Sequence, residues 1–190
     1  MSDHDTQQET SEAADEARLR AVIRDMGRYR PEAFEFLHAG LDFTVQRIHG
    51  PIEPQVEDLA KRLDADEIDP ADLHEFLARG RVPKEIRHCI EEIGGPDAAL
   101  RKLNRHVDGR ALCRGLRDMA LERWGLMASQ VLRHWGISET RDIGRMVFGL
   151  VESSLMKKQP TDRIEDFDDV FAFEDAFDRS FKIGPKSETV

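Results

Sequence analysis

Apolar residues return every three or four positions along most of the chain, which is the spacing that gives a helix one buried face. The densest apolar tract lies between Leu116 and Met156, and we expect the rest of the chain to be organised around it. Charged residues make up 35% of the sequence and aromatics only 7%, a balance that also favours helices. We therefore predict a mainly α fold. Outside residues 51–105, the predicted helices are 13–26, 31–50, 109–124, 126–135 and 140–155.

Residues 51–105 have a different pattern, in which short apolar stretches each follow a proline. Proline has a fixed φ and no backbone N–H, so it suits the first turn of a helix and no later one. We predict a small inserted subdomain of short helices here. Asp69 and Asp108 are the expected N-caps of the helices that follow them. The prolines that open the predicted helices are Pro54, Pro70, Pro83 and Pro96.

The order of elements in the C-terminal half is typical of a winged helix-turn-helix: a helix, a short helix, a turn at Gly136, a longer helix, and a polar stretch that returns through VFAF. We predict a winged-helix-like core with a small β-hairpin near residues 156–173. The match is imperfect, because strict spacing puts Asp142 where an apolar residue is usual. A turn longer by one residue brings Ile143 inward instead. A helix that reads DNA needs an exposed polar face, and this one is apolar nearly all round, so we predict a buried central helix.

A Phe-rich segment follows this helix, since half of the ten phenylalanines lie between residues 167 and 181. Phenylalanines near helical spacing can seal an apolar face, so we expect residues 167–177 to pack against the protein's own core. The alternative is that the tail after about Asp178 docks on another protein as an aromatic and acidic peptide.

The net charge of −10 is concentrated at the two ends of the chain. Residues 1–16 carry six acidic and no Lys or Arg side chains, and residues 157–190 carry nine acidic and six basic ones. The first 14 residues also hold too few apolar groups to offset the cost of ordering their backbone. The predicted organisation is a disordered acidic tail (1–14), a main helical core domain (15–50 and 106–177), an inserted helical subdomain (51–105) and a flexible C-terminal tail (178–190).

One stretch of the middle is clearly basic, because residues 100–133 hold eight Lys or Arg against three acidic residues. Three interpretations are open: a surface for phosphate or an acidic partner, an ordinary solvated face, or a contact for the protein's own acidic tails. No aromatic residues are interleaved for base stacking, so nucleic acid is not favoured. The candidate partner or phosphate contacts are Arg101, Lys102, Arg105, Arg110, Arg114 and Arg117.

The sequence contains no nucleophile motif, HExxH zinc motif, glycine-rich phosphate loop or paired-cysteine cluster. We predict no catalytic residue, no metal ligand and no cofactor. Cys89 and Cys113 are the only cysteines, and we expect both to be buried free thiols in a reducing compartment. The first residues do not show the basic stretch followed by an apolar run that is typical of a signal peptide, and no stretch approaches the roughly 18 apolar residues of a membrane span. We therefore expect a cytoplasmic protein with no membrane partner.

Several blocks occur in a fixed order along the chain: AFEFLHAGLDFTVQRIHG, HVDGRALCRGLRDMALERWG, VLRHWGI, DIGRMVFGLVE, LMKK and DFDDVFAF. Together they resemble a family of uncharacterised conserved proteins from Planctomycetes and Verrucomicrobia, over about residues 29–50 and 106–175. In that family the HVDG-type block follows the second helix closely, so the resemblance implies that residues 51–105 are an insertion. The family has no assigned activity, so the resemblance implies a shared core and no site residues.

These observations favour a non-enzymatic, cytoplasmic protein that acts as a protein–protein interaction or regulatory module. The alternative hypothesis is a nucleic-acid-binding regulator that uses the basic residues between 100 and 117. A third hypothesis is an enzyme of unknown class that uses His106 and Cys113, because a pocket cannot be read from a sequence.

Overall fold

The computed structural model describes residues 3–178, with the side chains of residues 13–177, so the predicted C-terminal tail lies outside the described residues from 179 onward. Contacts divide the chain into two compact units. The first unit combines the chain up to Thr44 with the chain from Val107 onward, and the second unit is Val45–His106. The second unit begins six residues before the predicted insertion and ends one residue after it.

The described residues are mainly helical, which confirms the mainly α class. Each predicted proline lies at the start of an element: Pro54 and Pro96 are first helical residues, Pro70 opens a 3-10 turn, and Pro83 is an N-cap. In chain order the helices are α1 (Asp3–Met26), α2 (Pro31–His49), α3 (Pro54–Ala65), α4 (Leu73–Ala78), α5 (Lys84–Ile93), α6 (Pro96–Leu103), α7 (Gly109–Trp124), α8 (Ala128–His134) and α9 (Thr140–Glu152).

The predicted β-hairpin near residues 156–173 is wrong, because the described part of the chain contains no strand. Local hydrogen bonds occupy the backbone there instead: the Asp162 carboxylate accepts from the Gln159 N–H at 2.7 Å, and the Asp166 carboxylate accepts from the Arg163 N–H at 2.9 Å. Such side-chain acceptors compete with strand pairing. The segment forms a 3-10 turn at Ile164–Phe167 and a single π-helical turn at Glu174–Asp178. The wing is therefore absent from residues 3–178.

The first helix is longer than predicted, because α1 begins at Asp3 rather than near Ala13. Residues 3–14, predicted as part of a disordered tail, are helical. Acidic residues near a helix N-terminus interact favourably with the helix dipole, and Glu, Gln and Ala have good helix propensities. These local effects favour a helix even where the sequence offers little apolar surface to bury.

The core of the first unit is rich in aromatic side chains. Phe36 contacts both Trp124 and Trp135, with ring centroids 5.2 and 5.7 Å apart. Phe173 and Phe177 are buried against each other at 5.1 Å. The expectation that residues 167–177 pack against the protein's own core is thus confirmed.

Glycines let the helices of the first unit approach closely. A Cβ placed on Gly115 of α7 would lie 1.9 Å from the Thr44 hydroxyl oxygen of α2. The Phe167 ring packs in the same way against Gly144 of α9 and Gly109 of α7, where added Cβ atoms would lie 2.8 and 2.7 Å from its carbon atoms. These contacts fix the 3-10 turn that carries Phe167 against α7 and α9.

The second unit has an aliphatic core. Leu59 and Leu63 of α3 pack with Ile86 and Ile90 of α5, and all four side chains are almost completely buried. The Asp69 carboxylate caps the turn before α4 by accepting from the Ala71 N–H at 2.9 Å, which confirms the predicted N-cap. In the first unit, the Asp108 carboxylate confirms the other predicted cap by accepting from the Ala111 N–H at 2.8 Å.

Candidate functional site

A buried carboxylate, Asp142, lies at the start of α9. Its side chain is fully buried, and one of its oxygens, Oδ1, accepts hydrogen bonds from the Tyr29 hydroxyl at 2.8 Å and from the Arg145 guanidinium at 2.7 Å. The backbone N–H of Ser138 donates at 2.8 Å and the guanidinium of Arg28 at 3.1 Å. Asp142 therefore ties the turn between α1 and α2 to the turn between α8 and α9.

The hydrogen bonds and burial of this network shift the pKa values of Asp142 and Tyr29 in opposite directions. Burial acts to raise the pKa of Asp142, but hydrogen bonds from Ser138 and Tyr29 and the charge of Arg28 outweigh it, so the pKa lies below its usual value. Burial, followed by the hydrogen bond to Asp142, raises the pKa of Tyr29 to about 12. The hydrogen bonds of Asp142 join three segments of the first unit, so the network stabilises the packing of these segments.

The winged-helix mismatch at Asp142 has a physical explanation. Both Asp142 and Ile143 are buried, so the position that the motif reserves for an apolar residue does point inward. The predicted buried helix is confirmed, since α9 also buries Met146 and Leu150. A carboxylate is tolerated there because donors surround it.

The six candidate basic contacts divide between the two units. Arg101, Lys102 and Arg105 belong to the second unit, whereas Arg110, Arg114 and Arg117 lie on α7 in the first. The six residues therefore do not all belong to one unit.

Several of these cations already have partners. On α7, Arg117 is half-buried, pairs with Asp118 at 2.6 Å and lies 5.7 Å from the centroid of the Phe171 ring. Arg110 and Arg114 are exposed. In the second unit Lys102 pairs with Glu53 at 2.7 Å, and the Arg105 guanidinium donates to the Gly50 carbonyl.

His106 and Cys113 make a poor catalytic pair. His106 belongs to the second unit and Cys113 to the first. The Cys113 side chain is fully buried, and burial raises its pKa to about 12. A thiol reacts as its thiolate, so Cys113 does not have the properties of a nucleophile.

The described residues contain no group of three or more His, Cys, Asp or Glu side chains that could hold a metal ion. No helix among them is both long and apolar enough to cross a membrane.

An apolar groove opens on the first unit, where α1, α2 and the end of α9 meet. Its volume is about 500 Å³. Phe34 and Leu150 form its buried floor, and half-buried side chains form its walls. We call this surface the α1–α2 groove. The apolar residues that line it are Leu19, Ile23, Phe34, Leu150, Leu155 and Met156.

The edges of the α1–α2 groove carry acidic side chains. On the α1 edge, Asp15 and Glu16 pair with Arg18 and Arg20, and these ion pairs are exposed. On the α2 edge, Glu35 is exposed and makes no ion pair with any residue from 13 to 177. Exposed pairs contribute little and exchange readily with other partners. The groove therefore combines an apolar floor with a rim that carries three carboxylates together with Arg20 and His38.

The sequence pattern did not reveal this groove, because its lining comes from three helices that are far apart in the chain. One signal was available. Residues Leu155 and Met156 continue the apolar run of α9 beyond its last helical residue, Glu152. Apolar residues that extend past the end of a helix can serve as the wall of a surface groove.

No protein-family model, no curated protein and no solved structure matches this chain. The resemblance to the Planctomycetes and Verrucomicrobia family therefore stays a prediction. The function has to be argued from the residues of the two units themselves.

Proposed function

We propose that this protein is a non-enzymatic, cytoplasmic interaction module that binds an amphipathic helix of a partner protein in the α1–α2 groove. The observation that carries this proposal is the apolar groove with carboxylates at its rim. The cytoplasmic location is supported by Cys89 and Cys113, which are both free and buried, since free thiols are typical of reducing compartments.

The chemistry of the groove indicates the kind of helix that it would bind. Amphipathic helices bury their apolar face in grooves of this type, with contacts spaced by three or four residues. Glu35, Asp15 and Glu16 at the rim complement Lys or Arg on the flanks of such a helix. The partner would therefore present leucine-like residues on one face and basic residues beside them.

The nucleic-acid alternative has less support. Polyanion binding draws on a set of unpaired cations, and Lys102 and Arg117 are already in ion pairs. The Asp15, Glu16 and Glu35 carboxylates would repel phosphate at the groove. Nucleic-acid binding remains a prediction that no observation favours.

A direct test uses a fluorescently labelled synthetic helix built from leucine and lysine, with full-length protein and fluorescence anisotropy. Met156→Glu places a charge in the groove wall, and Met127→Glu is the matched control because Met127 is exposed outside the groove. We expect Met156→Glu to weaken binding about tenfold or more and Met127→Glu to leave it nearly unchanged.

Charge reversal gives a second, independent arm of this test. Glu35→Lys should weaken binding about threefold or more at low salt, whereas Glu165→Lys, an exposed acidic site of the same unit outside the groove, should not. Equal losses for each variant and its control would mean that only the net charge of the protein attracts the peptide. That outcome would overturn the proposal.

A further inference from the structure

The second unit has a cleft of its own, lined by basic residues from the end of α6 and the chain after it. Its volume is about 200 Å³. Arg101, Lys102 and Arg105 line it together with His49 and Asn104, and Glu53 is the one carboxylate in its lining. We call this surface the α6 cleft. Half of the predicted basic contacts are therefore gathered at one concave surface.

The three cations are held in different ways. The Arg105 guanidinium is half-buried and is oriented by its hydrogen bond to the Gly50 carbonyl. The Lys102 ammonium lies 2.7 Å from the Glu53 carboxylate. Arg101 is exposed and makes no ion pair within the described chain. Three cations facing one carboxylate leave an excess of positive charge at the cleft.

Apolar surface lies beside these cations. Ile52 lines the cleft and is 37% exposed. Most large aliphatic side chains of the second unit are buried, including Leu59, Leu63 and Ile86. The cleft therefore places an exposed aliphatic side chain next to a net positive charge.

An ordinary structural role explains only part of this arrangement. Basic residues near a helix C-terminus stabilise the helix dipole, and this effect accounts for Arg101 and Lys102. The hydrogen bond to the Gly50 carbonyl likewise accounts for the position of Arg105, but neither role uses the net positive charge of the lining or the exposed side chain of Ile52. A nucleic-acid strand would use stacking rings, and no aromatic side chain lines the cleft.

We propose that the α6 cleft binds an acidic peptide segment of a partner protein, with carboxylates against Arg101 and Arg105 and an aliphatic side chain against Ile52. This site is separate from the α1–α2 groove and has the opposite charge preference. The carboxylates of the peptide would compete with Glu53 for Lys102. Because the Lys102–Glu53 ion pair has to be broken first, we expect the peptide to bind with modest affinity.

The test uses a fluorescein-labelled synthetic peptide in which glutamates flank a leucine, with full-length protein and fluorescence anisotropy. A matched peptide carries glutamine in place of glutamate. Arg101→Glu should weaken binding of the acidic peptide about fivefold or more, and its control, Arg81→Glu, should have little effect because Arg81 is exposed elsewhere in the same unit. Ile52→Ser should weaken binding without changing its salt dependence, since it removes only an apolar contact.

Further arms decide between this proposal and its alternatives. Glu53→Gln should tighten binding of the acidic peptide, because it removes the competing carboxylate. Equal binding of the glutamine peptide, or equal losses for Arg101→Glu and Arg81→Glu, would overturn the proposal. Displacement of the peptide by a single-stranded oligonucleotide at a lower concentration than by unlabelled peptide would assign the cleft to nucleic acid instead. Glu35→Lys, in the α1–α2 groove, should leave this binding unchanged, which separates failure of one proposal from failure of the other.

Discussion

The two units of this protein are stabilised by different kinds of interior. In the first unit, aromatic rings, close glycine contacts and a buried carboxylate hold the helices, and the buried polar side chains of the described chain, including Thr44 and Asp142, all lie there. In the second unit the core is aliphatic, and Phe76 is its only aromatic ring. The first interior depends on specific geometry, whereas the second depends mainly on apolar area. Mutations should therefore affect the two units in different ways.

The largest expected effect is that of Asp142→Ala. Removing the carboxylate leaves the buried Tyr29 hydroxyl and the Ser138 N–H without their acceptor, and each hydrogen bond to a charged group contributes about 1.5–3 kcal/mol to the unfolding free energy. Urea unfolding of full-length protein measures it. The matched variant is Asp58→Ala in the second unit, where an exposed carboxylate pairs with Arg62 and little change is expected. Similar losses for the two variants would contradict the contrast between the units.

Next in size is Leu59→Ala, which opens a cavity in the aliphatic core of the second unit. Leu59 is completely buried, and truncations of this kind cost about 2–5 kcal/mol. Hydrogen exchange should show faster exchange in α3 and α5, with α7 and α9 keeping their protection. Equal loss of protection in α9 would show that the two interiors do not unfold separately.

A smaller effect is expected from Gly115→Ala. The added methyl group would overlap the Thr44 side chain, and overpacking of this kind typically costs about 1–3 kcal/mol. The cost should fall when Thr44→Ala is combined with it, because the two positions share one contact. Strictly additive losses in urea unfolding would mean that α2 and α7 can separate without strain at this point.

The smallest predicted effect is a dependence on alkaline pH that comes from the first unit. Because the pKa of Tyr29 is raised to about 12 in the folded protein, its contribution is present below pH 10 and is lost as the pH rises from about 10 to 12. Urea unfolding at a series of pH values should show a shallower decline for Tyr29→Phe than for the wild-type protein. Cys113, whose pKa is also raised to about 12, adds to the decline in both proteins. Identical slopes would contradict the assigned role of Tyr29.

The sequence was informative where local chemistry decides the structure. Apolar spacing, the prolines and the capping aspartates Asp69 and Asp108 predicted the helices closely, because each depends on a few neighbouring residues. The hairpin prediction failed because the Asp162 and Asp166 carboxylates accept hydrogen bonds from the backbone N–H groups of Gln159 and Arg163, and the apolar pattern carries no information about such bonds.

The candidate surfaces were harder to predict because they depend on contacts distant in the chain. The α1–α2 groove brings Leu19 and Phe34 together with Met156, which no periodicity connects. The basic residues between 101 and 117 are close together in the sequence. The boundary between the units follows His106, so Arg101, Lys102 and Arg105 belong to the second unit and the others to the first. Asp142 is another example, because it occupies a position where the motif has an apolar residue. Its hydrogen bonds from Tyr29 and Arg28, which lie more than 100 residues away in the sequence, explain why a carboxylate can be buried there.

We propose above that the α1–α2 groove binds a basic amphipathic helix. Hydrogen exchange of the full-length protein with and without the leucine–lysine helix tests it most directly, because it reports where the peptide binds. If the peptide binds in the groove, we expect its addition to slow amide exchange in the last two turns of α1, the first turns of α2 and the end of α9. Met156→Glu should abolish that protection, whereas Met127→Glu should preserve it. Protection confined to other helices, or none at peptide concentrations that saturate the anisotropy signal, would contradict the claim.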